Sequence, residues 1–83
     1  MSSKEIKDVL DHKPIIGTER ILKNLKTGKL KKILVASNCR EQIKKDINYY
    51  AKLADVKVIQ LDIPNDEVGL VCKKPFSISV LGY

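Results

Sequence analysis

The apolar positions of this chain follow two spacings, one helical and one extended, and the two alternate. Between Ser3 and Asp11, Ile6, Val9 and Leu10 recur at i, i+3 and i+4, which predicts a short helix with one buried stripe. Lys13 to Gly17 reads as a short extended piece, held to a sheet edge or a strand start by Pro14. From Thr18 to Thr27, Ile21, Leu22 and Leu25 mark a second helical stripe, and Gly28 stands where a helix stops. Lys32 to Ala36 contains the unbroken run Ile33-Leu34-Val35-Ala36, which predicts a strand buried on both faces. Asn38 followed by Glu41 fits a capping box opening a helix to about Ala54, striped by Ile43, Ile47, Tyr50, Ala51 and Ala54. Lys57 to Leu61 predicts another strand, and Asp66 is placed to cap a short helix from Glu67 to Cys72. Phe76, Ile78 and Val80 alternate with Ser77 and Ser79, the pattern of a half-buried strand with Phe76 facing inward.

The resulting order, α-β-α-β-α-β-α-β, predicts one sheet covered by helices, an α/β/α sandwich with right-handed crossovers. Its 83 residues are too few to divide into two self-supporting cores, so residues 1–83 are expected to form a single domain. No apolar run approaches the roughly 18 residues of a membrane span. The opening MSSKEIKDVL mixes acids and bases where a signal sequence would place an apolar block. Neither membrane insertion nor secretion is expected, and the cytoplasm is the expected compartment. Cys39, Cys72 and the lone His12 lack the spacing of a zinc site, so no metal or other cofactor is expected and both thiols should pack as small hydrophobes.

Charge adds the first functional signal. Lys and Arg number 16 against 10 Asp and Glu, a formal charge of +6. Residues 13–32 alone hold Lys13, Arg20, Lys23, Lys26, Lys29, Lys31 and Lys32 against the single acid Glu19, which equals the net charge of the chain. Such a segment suits a polyanion-binding surface. Within it, Gly17 precedes a helix whose first N–H groups are free for phosphate, and Glu19, Lys23 and Lys26 follow one face at i, i+4 and i+7. Lys29, Lys31 and Lys32 are expected to add affinity without reading sequence. Catalysis has little support. His12 has no orienting partner in sight, Cys39 has no histidine beside it, and the glycines form no phosphate loop, so no enzyme and no small-molecule substrate are expected.

Gly17-Thr18-Glu19-Arg20-Ile21-Leu22-Lys23, then Gly28, then Ile33-Leu34-Val35-Ala36-Ser37-Asn38 resembles the L-thirty-e family of archaeal and eukaryotic ribosomal proteins, relatives of the kink-turn binders typified by L-seven-Ae. The likeness continues through Lys45-Asp46-Ile47-Asn48-Tyr49-Tyr50-Ala51-Lys52-Leu53, Glu67-Val68-Gly69 and Lys74-Pro75-Phe76, in family order, over roughly residues 3 to 81. The resemblance implies a three-layer α/β/α sandwich around a four-stranded mixed sheet. It also implies docking on bent ribosomal RNA in the large subunit, with ribosomal proteins as neighbours. Carried over position by position, the RNA-facing residues are Gly17, Thr18, Glu19, Arg20 and Lys23, then Ser37 and Asn38, then Ile63, Pro64, Glu67, Val68 and Gly69. The last group is apolar enough to cover an unstacked base. Lys26 joins the candidates through its place on the helix face.

The likeness has one departure at its centre. Kink-turn binders commonly carry Asn-Glu after the glycine and one further residue, and here those positions are Glu19 and Arg20, with Lys23 retained. A carboxylate accepts from a guanine edge, whereas Arg20 only donates, to guanine O6 and N7 or to phosphate. The resemblance therefore carries RNA binding and leaves the kink-turn base preference open, as in a divergent paralogue. A regulatory or protein-interaction module outside the ribosome, built on the same fold, is the competing expectation.

Overall fold

A computed structural model describes residues 2–83. Among the described residues four helices and four strands alternate: α1 Ser2–Leu10, β1 Ile15–Ile16, α2 Thr18–Lys26, β2 Lys32–Val35, α3 Glu41–Ala54, β3 Lys57–Gln60, α4 Asn65–Val71 and β4 Val80–Gly82. The strands form one mixed sheet in the order β1-β4-β2-β3. β2 and β3 run parallel, with Ile33 opposite Val58 and Leu34 opposite Ile59, whereas β4 is antiparallel to both β1 and β2. The short strand containing Pro14's neighbours is at the edge, where a missing N–H does no harm.

The apolar run of β2 explains the three layers. Ile33 and Val35 enter a core beneath α2 and α3 together with Ile21, Leu25, Ile47 and Val80. Leu34 and Ala36 enter a second core beneath α1 and α4 together with Ile6, Val9, Val68 and Leu81. A strand whose successive side chains serve opposite faces needs apolar residues at every position when both faces are covered. At about 25 cal/mol per Å² of apolar surface, each fully buried Ile or Leu contributes on the order of 2 kcal/mol.

Three expectations about the loops need correction. Asn38 does not cap α3. The helix begins at Glu41 with Arg40 in the cap position and no side-chain cap bond, because a turn closed by Cys39 N–H donating to the Ala36 carbonyl (3.2 Å) buries Cys39 first. The fourth helix starts at Asn65 rather than Glu67, with Pro64 in the cap position, and Asp66 Oδ1 accepts from the Glu67 N–H at 2.9 Å within the first turn. Phe76 does not face inward; it is 54% exposed. Pro75 keeps this stretch out of the sheet, β4 begins only at Val80, and Ile78 and Val80 pack on opposite faces, which a regular strand would not allow.

Candidate nucleic-acid interface

One end of the sheet is tied together by backbone bonds reaching between loops. Gly17 N–H donates to the Val80 carbonyl (3.2 Å), and Ala36 N–H donates to the Ser79 carbonyl (2.8 Å). Ser37 N–H donates to the Ile63 carbonyl (2.9 Å), and Ile78 N–H donates to the Asn65 carbonyl (3.0 Å). The side chain of Asn65 is the hub. Its Oδ1 accepts from Asn38 Nδ2 at 3.1 Å, its Nδ2 donates to Ser79 Oγ at 3.4 Å, and its backbone N–H donates to Asn38 Oδ1 at 2.9 Å. Asn38, released from capping, thus clamps the loop after β2 to the start of α4. The segments around Gly17, Ser37 and Ile63 meet along one rim.

Beside this rim lies an open groove of about 770 Å³ between the start of α2 and the loop before β4. Gly17, Thr18, Arg20 and Asn24 line one wall, and Lys74, Phe76, Ser77 and Ser79 line the other. Gly17 has φ +112°, a conformation L side chains rarely adopt, so the chain's entry into α2 depends on glycine. No side chain caps α2, and its first intrahelical bond is Ile21 N–H to the Gly17 carbonyl (3.0 Å), so the amides of the first turn face outward as a positive dipole end. Asn24 Nδ2 donates to the Arg20 carbonyl at 2.8 Å, which orients the groove wall. Among the described residues, neither Arg20 nor Lys74 has a carboxylate within ion-pair distance, and no acid lines the groove. Two unneutralised cations, several hydroxyl and amide groups and an exposed aromatic ring therefore face one cleft.

The individual candidates fall into three sets. Gly17, Thr18 and Arg20 line the groove, and Ser37 and Asn38 hold its rim with the half-buried Ile63 and Pro64. Glu19, Lys23 and Glu67 are exposed nearby, but at 100° per residue Glu19 and Lys26 turn toward α3 while Arg20 and Asn24 turn toward the groove. Lys26 stands at the far end of α2, about 13 Å from Gly17, with its Nζ 5.0 Å over the Tyr50 ring. The Glu19–Lys26 face is thus separate from the groove wall. Val68 and Gly69 are buried, Val68 wholly within the α1–α4 core, so the Val68 side chain is not the base cover that its apolar character suggested. A Cβ on Gly69 would run into the Phe76 carbonyl oxygen, which makes Gly69 the seat of the loop that presents Phe76.

Sequence reasoning missed Asn24, Asn65, Lys74, Phe76, Ser77 and Ser79. Pro75 was the available signal, since proline beside Lys74 opposes a paired strand and turns the neighbouring aromatic into a loop residue. The charge was also misplaced. Of the seven cations in residues 13–32, only Arg20 lines the groove. Lys32 is not free for a ligand: its Nζ meets Glu5 Oε2 at 2.8 Å and Asp8 Oδ2 at 3.5 Å, and the Glu5 bond raises its pKa. The two free thiols are buried, and burial pushes both upward from their ordinary range, which keeps Cys39 protonated at neutral pH although it adjoins the rim. Among the described residues no group of three or more His, Cys, Asp or Glu is placed to hold a metal, and no helix is long and apolar enough to cross a membrane.

Fold and site together define a small α/β/α sandwich that presents a cationic groove with an exposed aromatic ring at one end of a mixed sheet. The chain belongs to the ribosomal protein L7Ae/L30e/S12e/Gadd45 family, whose model matches residues 2–83. It is 39% identical over 67 residues to the large ribosomal subunit protein eL30 of Methanococcus vannielii, a stretch covering 81% of this chain and 64% of that protein. It is 40% identical over 79 residues to the protein of the same name from Sulfolobus acidocaldarius, covering 94% of this chain and 76% of that protein. The chain therefore spans slightly under two thirds of the first relative and about three quarters of the second. A solved structure of a protein with unknown function from Bacillus halodurans C superposes with a TM-score of 0.78 at 17% identity, over 87% of this chain and 71% of that one, and shares the fold.

Proposed function

We propose that this protein is a non-catalytic RNA-binding component of the large ribosomal subunit, ribosome-associated in the cytoplasm, that docks a bent, kink-turn-like ribosomal RNA element. The observation that carries the reading is the groove itself: Arg20, Lys74 and the exposed Phe76 converge beside the uncapped start of α2, with no carboxylate among the lining residues. The eL30 names of its relatives favour ribosomal RNA and ribosomal-protein neighbours over other polyanions.

In this reading Phe76 stacks on a base splayed from the bend, Arg20 donates to a guanine edge or a phosphate, and the Gly17–Arg20 amides and Lys74 hold the backbone. Ser37, Asn38, Ile63, Pro64 and Glu67 form the adjoining rim. The rigid loop network captures the bent conformation rather than creating it. The test is binding to an RNA helix carrying an asymmetric internal loop. Phe76→Ala and Arg20→Ala are each expected to cost about 1–3 kcal/mol of affinity, and Lys74→Ala is expected to lower the log–log salt slope by about one. Unchanged affinity in both Phe76→Ala and Arg20→Ala, with the fold intact, refutes docking at this groove. Co-sedimentation with large subunits in low salt checks the ribosomal part of the reading separately.

A further inference from the structure

Five exposed lysines gather at the end of the α2–α3 layer away from the groove. α2 and α3 both run toward that end, and their C-terminal turns lead into the first residues of β2 and β3. There the backbone brings Lys31 and Lys57 together, with Lys57 N–H donating to the Lys31 carbonyl at 3.3 Å, and a turn at Gly28 (φ +71°) carries Lys29 round the end of α2. Lys26 is held at the seam between the two helices over Tyr50, and Lys52 is exposed on the last turns of α3. Among the described residues, Asp55 adjoins these five lysines, and Glu5, held by Lys32, also acts on Lys57. None of the five has an ion-pair partner among the described residues.

Like-charged side chains gathered at one end of a domain attract a polyanion. We propose that this pole is a second RNA-contact surface, which takes the phosphate backbone of an RNA segment separate from the one in the groove. The protein then bridges two RNA segments lying on opposite ends of its sheet. Lysines suit this task, since they bind phosphate as mobile point charges and require no particular base. The occupant of the pole is an RNA duplex, recognised by its phosphate backbone.

The experiment uses a plain RNA duplex without an internal loop as the probe, followed by fluorescence anisotropy from 50 to 200 mM salt. The variants are Lys26→Gln/Lys29→Gln/Lys31→Gln and, as the groove control, Arg20→Ala/Phe76→Ala, each checked for an unchanged melting curve. All five side chains are exposed on the free protein. Loss of three phosphate contacts lowers the log–log slope by about 2.7, so wild type is expected to lose about 40-fold more affinity over that salt range than the triple variant. The groove control is expected to bind the duplex like wild type, and wild type already bound to an internal-loop RNA is expected to capture the duplex as well. An unchanged slope in the triple variant overturns the proposal, as does equal loss of duplex binding in the groove control. Tighter binding of poly-glutamate than of the duplex, abolished by the same three substitutions, identifies an acidic polypeptide as the occupant and also overturns it. Failure of the groove reading shows instead as internal-loop binding that survives Arg20→Ala/Phe76→Ala.

Discussion

Gly69→Ala separates a residue that supports the groove from one that touches its ligand. The added Cβ would collide with the Phe76 carbonyl oxygen and come within 3.1 Å of the Phe76 carbonyl carbon and 3.4 Å of Ser77 Cα. All three are backbone atoms, so no side-chain rotation relieves the contact, and the loop must retreat on the order of 1 Å. The loop is pinned at both ends, by Lys74 N–H to the Gly69 carbonyl (2.9 Å) and Ile78 N–H to the Asn65 carbonyl (3.0 Å). Overpacking against a held backbone costs up to about 3 kcal/mol, and replacing glycine by alanine inside α4 returns about 1 kcal/mol of helix propensity. The net loss is about 2 kcal/mol, which for a domain of this size lowers Tm by about 8–16 °C. The same retreat displaces Phe76 and Ser77 from the groove wall and is expected to weaken internal-loop RNA binding about tenfold, the equivalent of 1.4 kcal/mol. Thermal melting by circular dichroism and RNA titration below the melting range measure the two effects. An unchanged or raised Tm refutes the packing argument. An unchanged Tm with lost binding assigns Gly69 to the RNA contact itself.

Two further outcomes follow from the loops and the ion pairs. Asn65→Ala removes the side-chain bonds to Asn38 and Ser79 and is expected to cost about 1–2 kcal/mol, with faster amide exchange at Ser37, Ala36 and Ile78; unchanged exchange there refutes its role as hub. The Glu5–Lys32 bond holds the Glu5 carboxyl below its ordinary range, so its contribution to stability is present above that range and is lost as pH falls through the lowered pKa. A Tm difference between wild type and Glu5→Gln should accordingly be present at neutral pH and shrink on acidification, whereas a difference that persists in acid contradicts the pairing.

The layers of the fold were legible because burial imposes a period. Ile33-Leu34-Val35-Ala36 has no polar break, as a strand covered on both faces requires, and its residues divide between the two cores. The stripes Ile6-Val9 and Ile21-Leu25 likewise became buried faces. The site was legible only in part, because loop geometry depends on contacts made across the chain. Asn38 reads as a helix cap from its neighbours alone, but its partner is Asn65, 27 residues away. Phe76 reads as a strand residue from its alternation with Ile78, and only the failure of that segment to pair places its ring outside. Charge misled in a similar way. Residues 13–32 are contiguous in sequence, yet α2 carries Arg20 to one end of the molecule and Lys29 and Lys31 to the other, so the basic segment is divided between two ends.

The proposed dock for bent RNA is the groove between the start of α2 and the loop before β4. Amide chemical-shift mapping of the isotope-labelled protein with an internal-loop RNA tests it most directly. Shifts are expected to concentrate at Gly17–Arg20, Ser37–Asn38, Asn65 and Lys74–Ser79, excluding Pro75, which has no amide proton. Shifts confined to Lys26–Lys31 and the end of α3, with the groove residues unmoved, would contradict it.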